Sequence, residues 1–220
     1  MQTQTKTETI EFNGWTTRIR PAVSERPRLL VMLHGWTGDE NSMWVFARNF
    51  SDEKYWIVAP RAPHAADPQG FSWRPHQPVT FGRPSLEMLL PSAEALIQLV
   101  DEYSVSVGVE AGQFDVIGFS QGAAMVNVVG MLFPERIRKM GVLAGFVPSG
   151  LEAYVEKRAL QGKRIFVAHG TLDELVTIDR ARASMELMEQ AGASIIYCED
   201  EVGHKLSANC LHALEAYLAD

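Results

Sequence analysis

The segment Gly118-Phe119-Ser120-Gln121-Gly122 has the spacing G-x-S-x-G. That spacing suits a serine held on a tight turn between a strand and a helix. Glycines two residues to either side leave room for the neighbouring chain. The turn lifts the hydroxyl clear of the sheet, and the following helix points its N-terminus at any negative charge that develops there. The chemistry this permits is nucleophilic attack on a carbonyl carbon. Five residues alone are a weak signal. Here residues 114–118 read as a strand and residues 121–132 as a helix, which is the context the motif requires. Ser120 is the expected nucleophile.

A serine hydroxyl needs an adjacent base at neutral pH. After an elbow of this kind, the acid and then the histidine follow in chain order. The six histidines are His34, His64, His76, His169, His204 and His212. Only two of them follow the last expected strand. His212 falls inside a helical pattern, whereas His204 follows Gly203 in a loop, so His204 is the expected base. The acid belongs to the loop after residues 165–168, where Asp173 and Glu174 both offer carboxylates. Asp173 is preferred because its shorter arm sits nearer the strand end. Glu174 suits the start of the next helix, where a negative charge is favourable in any case. Asp179 lies a turn into that helix and is expected to face solvent. The oxyanion needs two N–H donors. Gln121 supplies one, and the loop His34-Gly35-Trp36-Thr37-Gly38-Asp39-Glu40 supplies the other, its glycines letting the backbone bend toward the site. His34 is expected to brace this loop.

The elements that must position these groups follow from apolar periodicity. Asn13-Gly14 marks a hairpin between residues 9–12 and 15–20. Residues 29–33 form a continuous apolar run, as in a strand covered on both faces. Residues 56–59, 114–118, 140–143, 165–168 and 194–198 repeat it. Helical spacing links Ile178, Ala181, Met185 and Met188, and also Leu206, Cys210, Leu214 and Tyr217. Leu86 to Val100 keep it too, and Pro91 predicts a helix that starts there. A hairpin followed by six strands alternating with helices implies an α/β fold: about eight strands, mostly parallel, with helices on both faces. Residues 1–220 are expected to form a single domain.

Composition bounds the function classes. With 46% hydrophobic and 21% charged residues the chain reads as globular. No apolar run approaches the roughly 18 residues that cross a bilayer, so no stable membrane insertion is expected. The net charge of −7 argues against nucleic acid, which calls for a basic stripe. Cys198 and Cys210 offer a disulfide as one reading, but two free thiols is the reading preferred, and with it a cytoplasmic protein. Residues 1–9 lack the basic and apolar regions of a secretory leader. No HExxH, CxxC or glycine-rich phosphate loop is found, so neither a metal nor an organic cofactor is implied.

Taken together, Leu33-His34-Gly35, Gly118-Phe119-Ser120-Gln121-Gly122-Ala123, Gly145-Phe146-Val147-Pro148, His169-Gly170 with Asp173 and Val176, and Gly203-His204 resemble the phospholipase/carboxylesterase family of α/β hydrolases. The resemblance runs from about Leu29 to the C-terminus. It implies the α/β-hydrolase fold, with Ser120 as nucleophile, Asp173 as acid and His204 as base. It also implies Gln121 and Trp36 as the backbone donors of the oxyanion hole, and Trp36 rests on the resemblance alone. Thr37-Gly38-Asp39-Glu40, following the large Trp36, looks more like the small bacterial carboxylesterases than the acyl-protein thioesterases. Pro78-Val79-Thr80 echoes a thioesterase segment.

The expected function is hydrolysis of small to medium acyl esters through an acyl-enzyme, with a small-molecule ester as partner. A thioesterase or lysophospholipase would use the same triad. A non-catalytic binder of ester-like ligands is disfavoured because every triad member is present. Residues 60–84 carry six prolines with Phe71, Trp73 and Phe81 among them. Such long irregular segments are often functional; the alternative is a surface excursion that packs its aromatics on the core. Phe71 and Trp73 are expected to wall the acyl pocket, with Phe146 and Val176 as further substrate contacts and Phe81, Met88 and Leu89 as other apolar candidates.

Overall fold

A computed structural model describes residues 6–75 and 83–220. Phe81 and the Pro78-Val79-Thr80 segment lie outside the described residues. The chain opens with the expected hairpin, β1 (Glu8–Phe12) and β2 (Trp15–Arg20). Asn13 and Gly14 both take positive φ, 47° and 83°, as a two-residue hairpin turn requires. There follow β3 (Arg28–Leu33), α1 (Trp44–Ala47), β4 (Tyr55–Pro60), the short strands β5 (His64–Ala65) and β6 (Phe71–Ser72), and α2 (Leu86–Val107). The second half alternates regularly: β7 (Phe114–Phe119), α3 (Gln121–Leu132), β8 (Ile137–Leu143), α4 (Glu152–Glu156), β9 (Arg164–Gly170), α5 (Ile178–Gln190), β10 (Ser194–Asp200) and α6 (Ala208–Ala219).

Eight strands form one sheet in the order β1-β2-β4-β3-β7-β8-β9-β10, and β5 pairs with β6 apart from it. Every pair from β4 to β10 is parallel, while β1 with β2 and β2 with β4 are antiparallel. This is the α/β-hydrolase arrangement. The apolar run of β3 has the expected cause. Leu29, Val31 and Leu33 pack into the layer that holds Leu96, Val126 and Met188, from α2, α3 and α5. Leu30 and Met32 pack into the opposite layer with Ala47, Leu214 and Tyr217, from α1 and α6. Alternate side chains of a strand point to opposite faces, so a strand between two helical layers must be apolar throughout.

Two expectations need correction. The helix expected from Pro91 begins at Leu86 and contains Pro91. Ser85 caps it in extended conformation, and the Leu86 N–H donates to Ser149 O at 2.8 Å. A proline here removes a single internal hydrogen bond, while Leu89 and Ala93 on either side of it are fully buried. The two cysteines are not free thiols. Cys198 at the end of β10 and Cys210 in the first turn of α6 form a disulfide, their Cα atoms 5.6 Å apart. The strand and the following helix pack closely enough to bring the sulfurs together. The bridge closes a loop that includes His204. Among the described residues no helix is long and apolar enough to cross a membrane.

Candidate active site

Ser120 stands between β7 and α3 with φ 54° and ψ −114°, a backbone region that non-glycine residues rarely enter. The glycines of the motif are sterically required. A Cβ on Gly118 would lie 2.3 Å from Gly122 O, and one on Gly122 would lie 2.2 Å from Leu33 O. The turn is therefore wedged between its own helix and the end of β3. The Ser120 N–H donates to Leu143 O at 2.9 Å, tying the turn to β8 as well. Gln121 begins α3, and the N–H groups of a helix's first turn have no acceptor within the helix.

Asp173 follows β9 in a tight loop. Its Oδ1 accepts from the N–H groups of Leu175 and Val176, both at 2.9 Å, and its Oδ2 lies 2.7 Å from His204 Nδ1. The carboxylate has no exposed surface, whereas the His204 side chain keeps 17% of its own. With Nδ1–H donating to Asp173, Nε2 is left as the acceptor of the imidazole. Glu174 is exposed, as are Asp179 and His212. The His204 ring also rests 4.9 Å from the Phe119 ring, next to Ser120 in the chain. No hydrogen bond joins Ser120 to His204 among the described residues. Such bonds are often long without substrate and tighten when it binds. The loops that carry Asp173 and His204 hold each other through Thr171 N–H to Asp200 O and Leu172 N–H to Val202 O. Gly170 permits this contact, since a Cβ there would lie 2.2 Å from Val202 O.

His34 braces its loop as expected. Its Nδ1 donates to Gly35 O at 2.7 Å and its Nε2 accepts from the Ala62 N–H at 3.0 Å. Burial holds its pKa below the usual histidine value. Gly35 packs against the elbow, where a Cβ would sit 3.3 Å from Ser120 Cβ.

The proline-rich segment takes a different part from the one expected. Trp73 has no exposed surface. Its Nε1 donates to His34 O at 2.7 Å, and its ring packs on those of His34 and Trp15. A residue so enclosed belongs to the core and not to a pocket wall. Phe71 lines neither of the cavities beside Ser120 and Trp36, and Arg61 lies over its ring at 4.6 Å. The backbone of this segment joins two loops. Thr37 N–H donates to Phe71 O, Phe71 N–H donates to Gly38 O, and Trp73 N–H donates to Gln121 Oε1 at 2.9 Å. The Trp36 loop and Gln121 are thus held to one short stretch of chain.

Two cavities flank Trp36. One, of about 260 Å³, is lined by Ser120, Gln121, Phe146 and Val176 together with Arg74, Arg83 and Arg180. The other, of about 520 Å³, is lined by Phe119, Lys205, Leu206, Met43 and Phe46 among others. Phe146 and Val176 were anticipated there. The three arginines were not, because they meet only in the folded chain and share no spacing. His169, noted in the sequence only as part of the His169-Gly170 motif, lies away from both linings, buried with Nε2 donating to Val176 O at 2.7 Å and 3.5 Å from Asp173 Oδ2.

The chain as a whole has relatives among known proteins. Residues 16–219 match the family described as Phospholipase/Carboxylesterase. The chain belongs to that family. A protein of Arabidopsis thaliana described as a probable carboxylesterase SOBER1-like is 27% identical over 150 residues, 66% of this chain and 56% of that protein. The chain therefore spans little more than half the length of that plant relative. Acyl-protein thioesterase 1 of Yarrowia lipolytica is 26% identical over 187 residues, 76% of this chain and 79% of that protein. Among solved structures, a carboxylesterase from Mesorhizobium loti superposes with a TM-score of 0.83 at 22% identity, covering 97% of this chain and 98% of that one.

Proposed function

We propose that this family member is a serine carboxylesterase, acting as a single domain on small to medium acyl esters. Ser120 is the nucleophile, His204 the base and Asp173 the orienting acid, with the N–H groups of Gln121 and Trp36 as the oxyanion hole. The observation that carries the reading is the buried Asp173 carboxylate, fixed by two backbone N–H groups and 2.7 Å from His204 Nδ1. A carboxylate so placed sets the imidazole tautomer and leaves Nε2 to take a proton.

In the first half-reaction Ser120 Oγ bonds to the ester carbonyl carbon as its proton passes to His204 Nε2. The carbonyl oxygen becomes an oxyanion held by the two N–H groups. Collapse breaks the bond to the alcohol oxygen, which leaves with the proton from His204. Water then attacks the acyl-serine, giving its proton to His204, and the carboxylic acid departs as Ser120 recovers its hydrogen. Net, one ester and one water give one acid and one alcohol.

A thioester reading is favoured by the likeness to a yeast acyl-protein thioesterase over three quarters of this chain. The same residues would serve it. The bonded Cys198–Cys210 pair removes the free-thiol argument for a cytoplasmic location, since disulfides persist in oxidising surroundings.

The test is Ser120→Ala, expected to lower turnover of nitrophenyl esters by at least about a thousandfold with the fold intact by circular dichroism. A fluorophosphonate is expected to label Ser120. Labelling at another serine, or a variant that keeps most of its turnover, would overturn the assignment.

A further inference from the structure

The two cavities beside Trp36 can be told apart by what His204 must do. The leaving alcohol takes its proton from His204, so the alcohol portion of an ester lies toward that ring and the acyl portion away from it. The larger cavity is walled by Phe119, in contact with the His204 ring, and by Lys205 and Leu206, the next residues in the chain. It is the alcohol side. The smaller holds Ser120 and Gln121 and is lined by none of the residues beside His204. It is the acyl side.

The acyl side is charged against the trend of the molecule. The chain carries a net charge of −7. Yet Arg74, Arg83 and Arg180 line this cavity, and no Asp or Glu does so among the described residues. Residues 76–82 contain no acidic residue either. The Arg180 guanidinium lies 3.5 Å over the Phe146 ring, which fixes it on the wall. Burial lowers the pKa of Arg180, and the charge of Arg83 lowers it further, as it must when two cations face one space. Burial lowers that of Arg74 too. Arg74 and Arg180 make further contacts within the protein, and an anion would add to these, since each guanidinium carries five N–H donors. Gathering cations in a partly closed cavity is unfavourable until an anion enters, and arginine matches a carboxylate in two-point geometry.

We propose that the acyl portion of the substrate ends in a second carboxylate, so that the protein hydrolyses monoesters of short dicarboxylic acids. Arg180, with Arg74 and Arg83, binds the free carboxylate while Ser120 attacks the esterified one. A volume of about 260 Å³ is small for a ligand pocket, which favours a short chain. This rests on the esterase reading above.

The test compares mono-4-nitrophenyl adipate with 4-nitrophenyl hexanoate, which share a leaving group and chain length. The charged ester is expected to have at least about tenfold higher kcat/KM, chiefly through KM, the gain of one charge-assisted contact. The advantage is expected to shrink as salt is raised. Arg180→Gln narrows the ratio of the two esters, Arg180→Lys narrows it less, and Arg83→Gln, at an exposed position, narrows it without the risk of misfolding. Equal or lower kcat/KM for the adipate in the wild type overturns the proposal, as does a ratio untouched by both glutamine variants. The hexanoate ester of 4-hydroxybenzoic acid carries its charge on the alcohol instead. A preference for it over phenyl hexanoate, with none for the adipate, also overturns the proposal. Hexanoate hydrolysis with Ser120 labelled by fluorophosphonate keeps the esterase reading whichever way these comparisons fall. Absence of both hydrolysis and labelling removes the two together.

Discussion

Asp173 Oδ2 and His204 Nδ1 are 2.7 Å apart, although 31 residues separate them in the chain. The neighbouring Glu174 is exposed and takes no part in this contact. One carboxylate at the strand end is drawn inward by the N–H groups of Leu175 and Val176. The next residue points out.

That asymmetry gives the first prediction. Asp173→Asn replaces an acceptor-only group by an amide that can donate to Nδ1, which holds the imidazole in the wrong tautomer. A loss of several orders of magnitude in kcat is expected, on the order of ten-thousandfold. Glu174→Gln is expected to change kcat less than about twofold. The opposite ranking in steady-state kinetics would show that the acid had been misassigned.

The second prediction concerns Trp73. Its ring is fully buried against His34 and Trp15, and its indole N–H is bonded. Trp73→Ala is expected to cost about 3–5 kcal/mol, read as a lower urea midpoint. Because Trp73 braces the loops of Trp36 and Gln121, any loss of activity is expected to be equal for acetate and hexanoate esters. A rise in KM confined to the longer ester would return Trp73 to the pocket wall.

These two residues also mark how far the sequence could be read. The strands were legible because parallel strands under two helical layers must be apolar throughout, and β3 obeys this on both faces. Ser120 was legible because its turn demands glycines at fixed offsets. Chain order left Asp173 or Glu174 and His204 or His212, and the shorter arm and the loop position favoured Asp173 and His204. Trp73 misled because an aromatic in a proline-rich segment looks the same whether it meets substrate or core. Only the fold shows which. Arg74, Arg83 and Arg180 carry no local signature, since they come from separate segments and converge at one cavity. Pro91 misled for another reason: burial of Leu89 and Ala93 on either side of it outweighs one lost hydrogen bond.

The third prediction is a pH dependence of stability. Burial lowers the pKa of His34 from 6.5 in the folded state. His64 shifts the same way for the same reason. Below the unfolded value the unfolded chain binds protons that the folded chain refuses. The contribution is therefore complete above about pH 6.5 and is lost progressively as the pH falls below it. One histidine can account for at most about 1.4 kcal/mol per pH unit. Urea unfolding at pH 7.5 and 5.5 is expected to show the lower stability at pH 5.5. His34→Gln is expected to be less stable at both and to depend less on pH. An unchanged slope in the variant would mean that other groups set it.

The last prediction concerns Cys198 and Cys210. Their bond closes a loop between β10 and α6 with a sequence separation of 12. Closing a loop of this size restricts the unfolded chain by roughly 3 kcal/mol. For a protein of this length that corresponds to about 6–12 °C in Tm. The loop includes His204. Other contacts hold that loop, however. Leu172 N–H bonds to Val202 O, Thr171 N–H bonds to Asp200 O, and Asp173 holds the ring itself. None of these depends on the bridge. The double substitution Cys198→Ala with Cys210→Ala is expected to lower Tm by that amount while kcat at 25 °C changes less than about twofold. Thiol titration of the denatured, unreduced protein is expected to find no free thiol, and two after reduction. Two thiols before reduction, or a Tm indifferent to reductant, would refute the bridge. A large fall in kcat with Tm preserved would instead make it part of the machinery that positions His204.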